Sequence, residues 1–521
     1  MKRKNEKVSK EKRGGKRMKY IPKRFVLAIL ISLFEVLTIL FIVVALCYWV
    51  PYFYIAAYLT EIFCIIRIVS SDDNPEYKVP WLLVVLLLPI AGFMLYFLFY
   101  KRQLEKRLVK RLERLDSEKY ESDGQTVLDE LSAKDPCAAS SVKLLAKTAN
   151  ATSFCGGEIK YFPLGEDMHS ALIEDLKSAK KFIFMEYFIV EEGIFWNSIL
   201  DVLRERVANG VEVRVIYDDI GCMMTLPADY SKTLSSYGIM ATPFSVLKGR
   251  ADGEFNNRSH RKITVIDGVI GYTGGINIAD EYINAKVKHG HWKDTAIRIC
   301  GPAVRELTRL FLVDYGINVK SLPDPMHDYY PECGAEGGGV AVPFGDGPSP
   351  MYEHRVGKYI IMNMLEAAVR YVYITTPYLI IDNDMCTAIE KAALRGIDVR
   401  ILLPHVPDKW LVLEISRSYY QRLMRAGVRI YEYEPGFMHS KTYVSDDKYA
   451  MIGTINLDYR SLVHHFECGV WIYENECLMD IKRDFEKTLH VSLEIKEKDA
   501  DGVGLFRRFL RALGRIFATL M

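Results

Sequence analysis

Changes of rhythm in the hydrophobic and polar positions divide the chain. Residues 1–24 are polar and basic with no apolar period, and they read as a disordered arm. From residue 25 to 69 nearly every position is apolar, with a break at Tyr48-Trp49-Val50-Pro51-Tyr52. That length suits two helices across a hydrocarbon core of about 30 Å. The polar loop Ser70-Ser71-Asp72-Asp73-Asn74-Pro75 follows, and residues 81–100 form a further apolar span ended by Lys101-Arg102. Aromatic residues gather at these edges, as at membrane interfaces. The expectation is a membrane region over 25–100 with two to three transmembrane helices. A cleaved signal peptide fits poorly, because the apolar stretch is too long and has no small-residue cleavage site. Glu35 and Glu61, inside the stretch, read as protonated or interface-reaching carboxylates.

Residues 101–150 read as a helical juxtamembrane linker. From Ile159 onward, strand and helix periods alternate. Residues 181–188 read as a buried strand, 196–208 as a helix and, after Gly210, 211–219 as a second strand. The order returns later: a helix at 355–369, a strand at 371–378, a helix ending at Arg395-Gly396 and a strand at 397–404. A repeat of about 180 residues is too long for a solenoid unit, so the pattern predicts two duplicated α/β domains. They are expected over 151–320 and 340–503. The segment 321–339, rich in Pro, Gly and acidic residues, joins them. The tail 504–521 is amphipathic. Phe506, Phe509, Leu510, Leu513 and Phe517 share one helical face, and Arg507, Arg508, Arg511 and Arg515 lie mainly on another. It fits either a helix on anionic lipid or an ordinary helix docked on protein.

Charge adds to this picture. The formal net charge of +2 conceals a division. Residues 1–24 carry twelve Lys/Arg against two Glu, and 101–114 carry seven against two, whereas 115–504 have a net charge of −14. Positive charge that flanks apolar segments suits anionic headgroups, and an acidic body argues against a nucleic-acid surface. The basic segment 101–114 lies between the last span and the body, which favours a body on the cytoplasmic face. The ten cysteines are scattered and imply neither a zinc site nor a disulfide frame.

The candidate chemistry is a motif used twice. His260-Arg261-Lys262 is followed by Asp267 and by Gly274-Gly275-Ile276-Asn277. His439-Ser440-Lys441 is followed, at the same spacings, by Asp446 and by Gly453-Thr454-Ile455-Asn456. One His-x-Lys is a common tripeptide; two complete copies after the same run of elements are not chance. A histidine can attack phosphorus, and a second can protonate the departing oxygen and later deprotonate an incoming one. Lysines supply fixed positive charge to phosphoryl oxygens, and asparagines add neutral donors. Those cations can replace a metal ion, so no metal is expected. Each imidazole needs a carboxylate on its other nitrogen, and Glu467 and Asp294, downstream of the motifs, are the candidates.

These motifs resemble those of the phospholipase D superfamily. The flanking residues Gly271-Tyr272-Thr273, Trp292-Lys293-Asp294-Thr295, Thr375-Thr376-Pro377-Tyr378 and Leu457-Asp458-Tyr459-Arg460-Ser461-Leu462 narrow the resemblance to bacterial cardiolipin synthases. It runs from about residue 53 to the C-terminus. It implies duplicated phospholipase D-like domains sharing one active site behind N-terminal transmembrane helices, in a multi-pass protein of the cell membrane. It also implies a phosphatidyltransferase that joins two phosphatidylglycerols into cardiolipin and releases glycerol. No cofactor is implied, neither CTP nor ATP, because one phosphoester is exchanged for another. By the resemblance His260 is the nucleophile and His439 the acid and then the base. Lys262, Lys441, Asn277 and Asn456 hold phosphoryl oxygens, while Asp267 and Asp446 complete the motifs as orienting groups. The implied partners are phosphatidylglycerol, cardiolipin and anionic membrane lipid; a homo-oligomer stays open. The same motifs serve a phospholipase D or a phosphatidylserine synthase, with water or serine as acceptor. A nuclease of the superfamily is disfavoured by the acidic body, and a catalytically dead interaction protein by the completeness of both motifs.

Overall fold

The computed structural model describes residues 23–49, 51–100, 110, 124–244, 257–319, 326–334, 337–349, 351–498 and 504–518. The basic arm, except for its last two positions, and most of 101–123 lie outside the described residues.

Apolar helices come first, Lys23–Trp49 and Pro51–Val69. Among the described residues, only the segment Val26–Ala45 is long and apolar enough to cross a bilayer, with mean hydropathy 2.9. The span expected at 81–100 is not one helix. It belongs to two, Pro75–Leu87 and Pro89–Phe99. Pro89 lacks an N–H and disfavours helical geometry at the residue before it, and Leu88 accordingly sits at φ −134°, ψ 71°. The chain then folds back on itself. Gly92 passes so close to the first arm that a Cβ would stand 2.5 Å from the Val84 carbonyl oxygen. The hairpin packs on Pro51–Val69, and its preceding loop is tied to the rest of the molecule. Asn74 Nδ2 donates to Asp382 Oδ2 (2.8 Å), and the Tyr459 hydroxyl donates to Glu76.

The body holds two mixed sheets with one topology. The seven-stranded sheet runs Glu158–Phe162, Ala296–Cys300, Ile270–Gly274, Ile263–Ile266, Phe182–Tyr187, Glu212–Asp218, Met240–Phe244. The nine-stranded sheet repeats that order as Val340–Asp346, Glu467–Tyr473, Tyr449–Gly453, Thr442–Ser445, Tyr371–Thr375, Asp398–Pro404, Arg429–Tyr433, with a short strand added at each edge. In both, the last three strands of this series are parallel and the other pairings antiparallel. The duplication expected from the sequence is therefore a duplication of strand order.

The sheets face each other across a shared core. Phe184, Ile263 and Ile297 of one sheet cluster with Ala450, Ile452 and Val470 of the other. Leu307 and Phe311 of the helix Val304–Asn318 and Ile481 and Phe485 of the helix Cys477–Leu489 complete the cluster. Helices cover the outer faces, so Phe182–Tyr187 and Tyr371–Thr375 are buried on both sides and read as unbroken apolar runs.

One expected boundary changes. Helices Gly124–Lys134 and Pro136–Ala149, assigned from sequence to a linker, pack Leu131, Val142 and Leu145 against Val342, Ile360 and Met364 of the second domain. Phe154–Cys155 then pairs with Val340–Asp346. The chain thus covers part of the second domain before it builds the first. An apolar stripe shows that a helix docks, but the sheet that receives it is a tertiary choice.

Candidate active site

Each motif occupies the same hairpin of its sheet. Ile263–Ile266 turns back into Ile270–Gly274, and Thr442–Ser445 turns back into Tyr449–Gly453. Asp267 and Asp446 sit at these turns in left-handed conformation, φ 52° and 58°. The Asp267 carboxylate accepts the amides of Lys180, Lys181 and Phe182 at 2.7–2.9 Å, and Asp446 accepts those of Val369, Arg370 and Tyr371 over the same range. Both carboxylates lie at the far end of the strand from the histidine and lock the hairpin to the start of the neighbouring parallel strand.

The histidines lie where the two sheets meet, and each is held by the other half. His260 N–H donates to the Phe466 carbonyl (2.8 Å), and its Nδ1 lies 2.9 and 3.0 Å from the Glu467 oxygens. His439 N–H donates to the Lys293 carbonyl (2.8 Å), and its Nδ1 lies 2.6 Å from Asp294 Oδ2. Short parallel strands, His291–Lys293 and Gly436–Met438, pair across the same seam. Arg261, the middle residue of the first motif, is fully buried; it pairs with Asp314 (2.8 Å) and donates to the Glu467 carbonyl (3.0 Å). Each of the two carboxylates named from the sequence thus lies within hydrogen-bond distance of the histidine of the other domain's motif.

The two carboxylates differ in their surroundings. Burial works to raise Glu467, but His260 holds it below the usual carboxylate range. Thr454 Oγ1 and Ser461 Oγ also donate to it, the latter at 2.7 Å. Among the described residues Asp294 receives only the Thr295 amide (2.8 Å) besides His439, and burial pushes it up to about 6 against the pull of Lys441. Burial pushes His260 down to about 3 although Glu467 opposes the shift. His439 is also held well below its ordinary value, first by burial and then by the charges of Lys441 and Lys262. Both imidazoles are therefore neutral at rest.

Lys262 and Lys441 are buried beside the histidines. Lys262 Nζ donates to the His260 carbonyl (2.7 Å), and Lys441 Nζ donates to the His439 carbonyl and lies 2.9 Å from His439 Nδ1. Burial lowers Lys262 to about 7, helped by the charge of Lys441, and lowers Lys441 to about 8. Two ammonium groups that feel each other form a ready anion site. The asparagines diverge. Asn277 is engaged on both atoms, accepting the Ile189 amide (3.0 Å) and donating to the Tyr282 hydroxyl (2.7 Å). Asn456 Oδ1 is buried without a hydrogen-bond partner.

Some residues of the site escaped the sequence reading. His465 lies with its ring 5.4 Å from that of His260 and its Nδ1 3.6 Å from Glu467, while Phe188 packs edge-on to His260 at 5.3 Å. Tyr282, Trp292 and Phe437 surround His439. Thr454 and Ser461 lie inside quoted motifs and were legible as donors; His465 stands next to another histidine with no spacing signal. Among the described residues, His260, His465 and Glu467 are the group whose donor atoms lie close enough for a metal, within 4.8 Å of one another. The fit is poor, because Glu467 already accepts from His260, Thr454 and Ser461.

Two sheets of one topology, each giving a His-x-Lys to a common buried site, define the phospholipase D class of phosphatidyl-transferring enzymes. The chain belongs to the cardiolipin synthase family within that class. The profile described as cardiolipin synthase, PLD-like domain matches residues 172–294 and 361–489, and that of the phospholipase D-nuclease N-terminal region matches 62–99. A cardiolipin synthase of Alkalihalophilus pseudofirmus is 34% identical over 471 residues, 89% of this chain and 92% of the relative. Cardiolipin synthase 2 of Bacillus anthracis is 33% identical, over 87% of this chain and 88% of its own length. An uncharacterized protein of Streptococcus mutans is 36% identical over 88% of this chain and 99% of its own. Among solved structures, phosphatidylserine synthase of Haemophilus influenzae shares the fold, with TM-score 0.55 and 16% identity over 73% of this chain and 98% of that one.

Proposed function

We propose that the enzyme transfers a phosphatidyl group from one phosphatidylglycerol to a second, with His260 as nucleophile. The crossed holding of two neutral imidazoles by carboxylates of opposite halves carries this reading. His260 Nε2 attacks phosphorus, and the bond to the glycerol oxygen breaks as His439, which takes up a proton from solvent when the substrate anion binds, delivers that proton to the departing oxygen. His439 then takes the proton from a hydroxyl of the second lipid. That oxygen attacks the phosphohistidine, the P–N bond breaks, and cardiolipin leaves with His260 restored. Glu467 suits the nucleophile, since a firmly ionised carboxylate stabilises the positive charge left on a phosphorylated imidazole. Lys441, beside His439, lowers the proton affinity of that imidazole, which favours proton delivery to a leaving alkoxide. Lys262 and Lys441 hold the nonbridging oxygens, and the incoming anion offsets their charges so that His439 can carry its proton.

Membrane placement follows a related logic. Pro75–Leu87 and Pro89–Phe99 have 13 and 11 residues, so each is roughly 16–20 Å long, short of the hydrocarbon core. A re-entrant hairpin there, with one crossing at Val26–Ala45 and a second proposed through the 19 residues of the less apolar helix Pro51–Val69, would keep both basic segments and the catalytic body on the cytoplasmic side.

The test is conversion of labelled phosphatidylglycerol by the purified protein in liposomes. Cardiolipin with one glycerol released per molecule is expected, and phosphatidic acid without cardiolipin would overturn the reading. Turnover is expected to survive excess EDTA; loss restored by Mg²⁺ or Mn²⁺ would end the metal-free mechanism.

A further inference from the structure

The C-terminal helix Leu505–Phe517 has the composition of a helix drawn to anionic lipid by its arginines, yet it lies the other way round. Arg511 is buried against protein, and Arg507 and Arg515 reach protein from exposed positions. Arg507 and Arg511 both pair with Glu414, at 2.5 and 3.0 Å, and the Arg515 guanidinium stacks 4.6 Å from the Tyr419 ring centroid. Gly514 permits this close approach, for a Cβ there would stand 2.6 Å from Ile415 Cγ1. All four contacts lie on one helix, Trp410–Arg425. Beside the exposed Arg508, the outside carries large apolar side chains: Leu505 is 84% exposed, Phe506 73% and Phe509 63%, and Leu513 is also exposed. Large apolar side chains left uncovered in this density mark a contact surface rather than ordinary solvent-facing positions.

Continuity identifies the occupant. The same helix packs against Pro75–Leu87 of the membrane hairpin, whose Val79, Leu86 and Leu87 are exposed as well. The contacts run in parallel along Trp410–Arg425, from Glu414 to Tyr419, so the Leu505 end lies toward the Trp410 end. Trp410 and Leu411 are themselves exposed there. Asp408 precedes that end and accepts the Tyr378 hydroxyl at 2.7 Å. Exposed apolar side chains therefore run from the membrane hairpin through the last helix to Trp410 and Leu411.

We propose that Leu505, Phe506, Phe509 and Leu513 insert into the acyl-chain boundary of the bilayer, and that the helix, clamped through Glu414, seats the catalytic body on the membrane surface. The occupant is lipid hydrocarbon, and the arginines serve as the clamp rather than as headgroup ligands. A lipid substrate then reaches the histidines from the headgroup layer without full extraction into water. This use of the surface rests on the lipid-transferase reading, whereas the insertion itself does not.

The experiment places benzoylphenylalanine at position 509 of the full-length protein, reconstituted in phosphatidylglycerol–phosphatidylethanolamine vesicles. Irradiation is expected to yield adducts of phospholipid mass. Cross-links to a second copy of the chain, or no adduct at all, would overturn insertion. The double variant Phe506→Ser/Phe509→Ser gives a functional readout on the same vesicles and on detergent-mixed micelles. At least a tenfold loss is expected on vesicles with micellar turnover within twofold of the parent. Equal rates in both would overturn the seating role even where lipid adducts form, and a loss in both would reduce the face to a structural one.

Discussion

His260 and His439 stand at equivalent points of two sheets with one strand order, and each is held through Nδ1 by a carboxylate of the opposite half. Their surroundings nevertheless differ. Glu467 accepts two hydroxyls besides His260 and stays charged, whereas Asp294 has one amide besides His439 and is pushed up to about 6 by burial. Lys441 lies against the ring nitrogen of its histidine, while Lys262 reaches only the carbonyl of its own. Duplication supplies two of everything, and small differences in hydrogen bonding then separate the roles: one imidazole backed by a fixed anion, the other beside a cation. The asparagines diverge likewise, with Asn277 spent on the fold and Asn456 holding an unpartnered oxygen.

The sharpest way to break this comparison is to remove each histidine in turn. His260→Ala and His439→Ala are both expected to lose at least about 10³-fold in cardiolipin formation, in the range of nucleophile and acid–base losses. They should part on an activated substrate. A phosphodiester with a nitrophenol leaving group needs no acid, so His439→Ala should still release nitrophenol in a burst and trap a phosphorylated protein. His260→Ala should do neither. The opposite pattern would exchange the roles.

Next in size are the carboxylates. Glu467→Gln is expected to lower kcat by about 10–100-fold at every pH, as loss of an orienting partner does. Asp294→Asn tests the difference. Asp294 is charged above about pH 6 and protonated below it, so wild-type kcat/KM should fall as pH drops through that value. In Asp294→Asn that acid limb should vanish from the pH profile, on a lower plateau.

The lysines bear on the alkaline side. Lys262 and Lys441, lowered to about 7 and 8 by burial, lose their protons as pH rises, so kcat/KM of the free enzyme should decline there. Lys262→Arg and Lys441→Arg keep their charge and should move the decline upward, at a rate reduced about 10-fold because a planar fork replaces a point charge. An unmoved limb would assign it to another group.

The smallest catalytic effect is expected at the motif aspartates. Asp267→Asn and Asp446→Asn should each cost about 1–3 kcal/mol of stability, the more exposed Asp267 the less, since three backbone amides lose their ionic acceptor. Thermal unfolding would register this, while kcat per folded molecule stays within a few-fold. A large loss of kcat in well-folded protein would return these residues to the chemistry.

Much of this molecule was legible along the chain. Buried strands such as Phe182–Tyr187 and Tyr371–Thr375 announce themselves as apolar runs, because both their faces are covered, and the helices Ile194–Ala208 and Val356–Ala367 by their period. The repeated motif needed only counting. Less legible were the break at Leu88–Pro89, masked by an unbroken hydropathy, and His465, which has no partner at a telling spacing.

By itself, then, the sequence determined the duplicated domains, the doubled His-x-Lys and the membrane region, since each is a local pattern of residue type and period. Only the tertiary structure decided that Glu467 serves His260 and Asp294 serves His439 across the seam. It also put Asp267 and Asp446 at the far ends of their strands from the histidines, carried residues 124–155 to the second domain, and buried Arg511 of the last helix against Glu414. Each of these is a choice of partner between segments distant along the chain. Such choices depend on how two packed sheets bury their faces together, a property that no local window of residues contains.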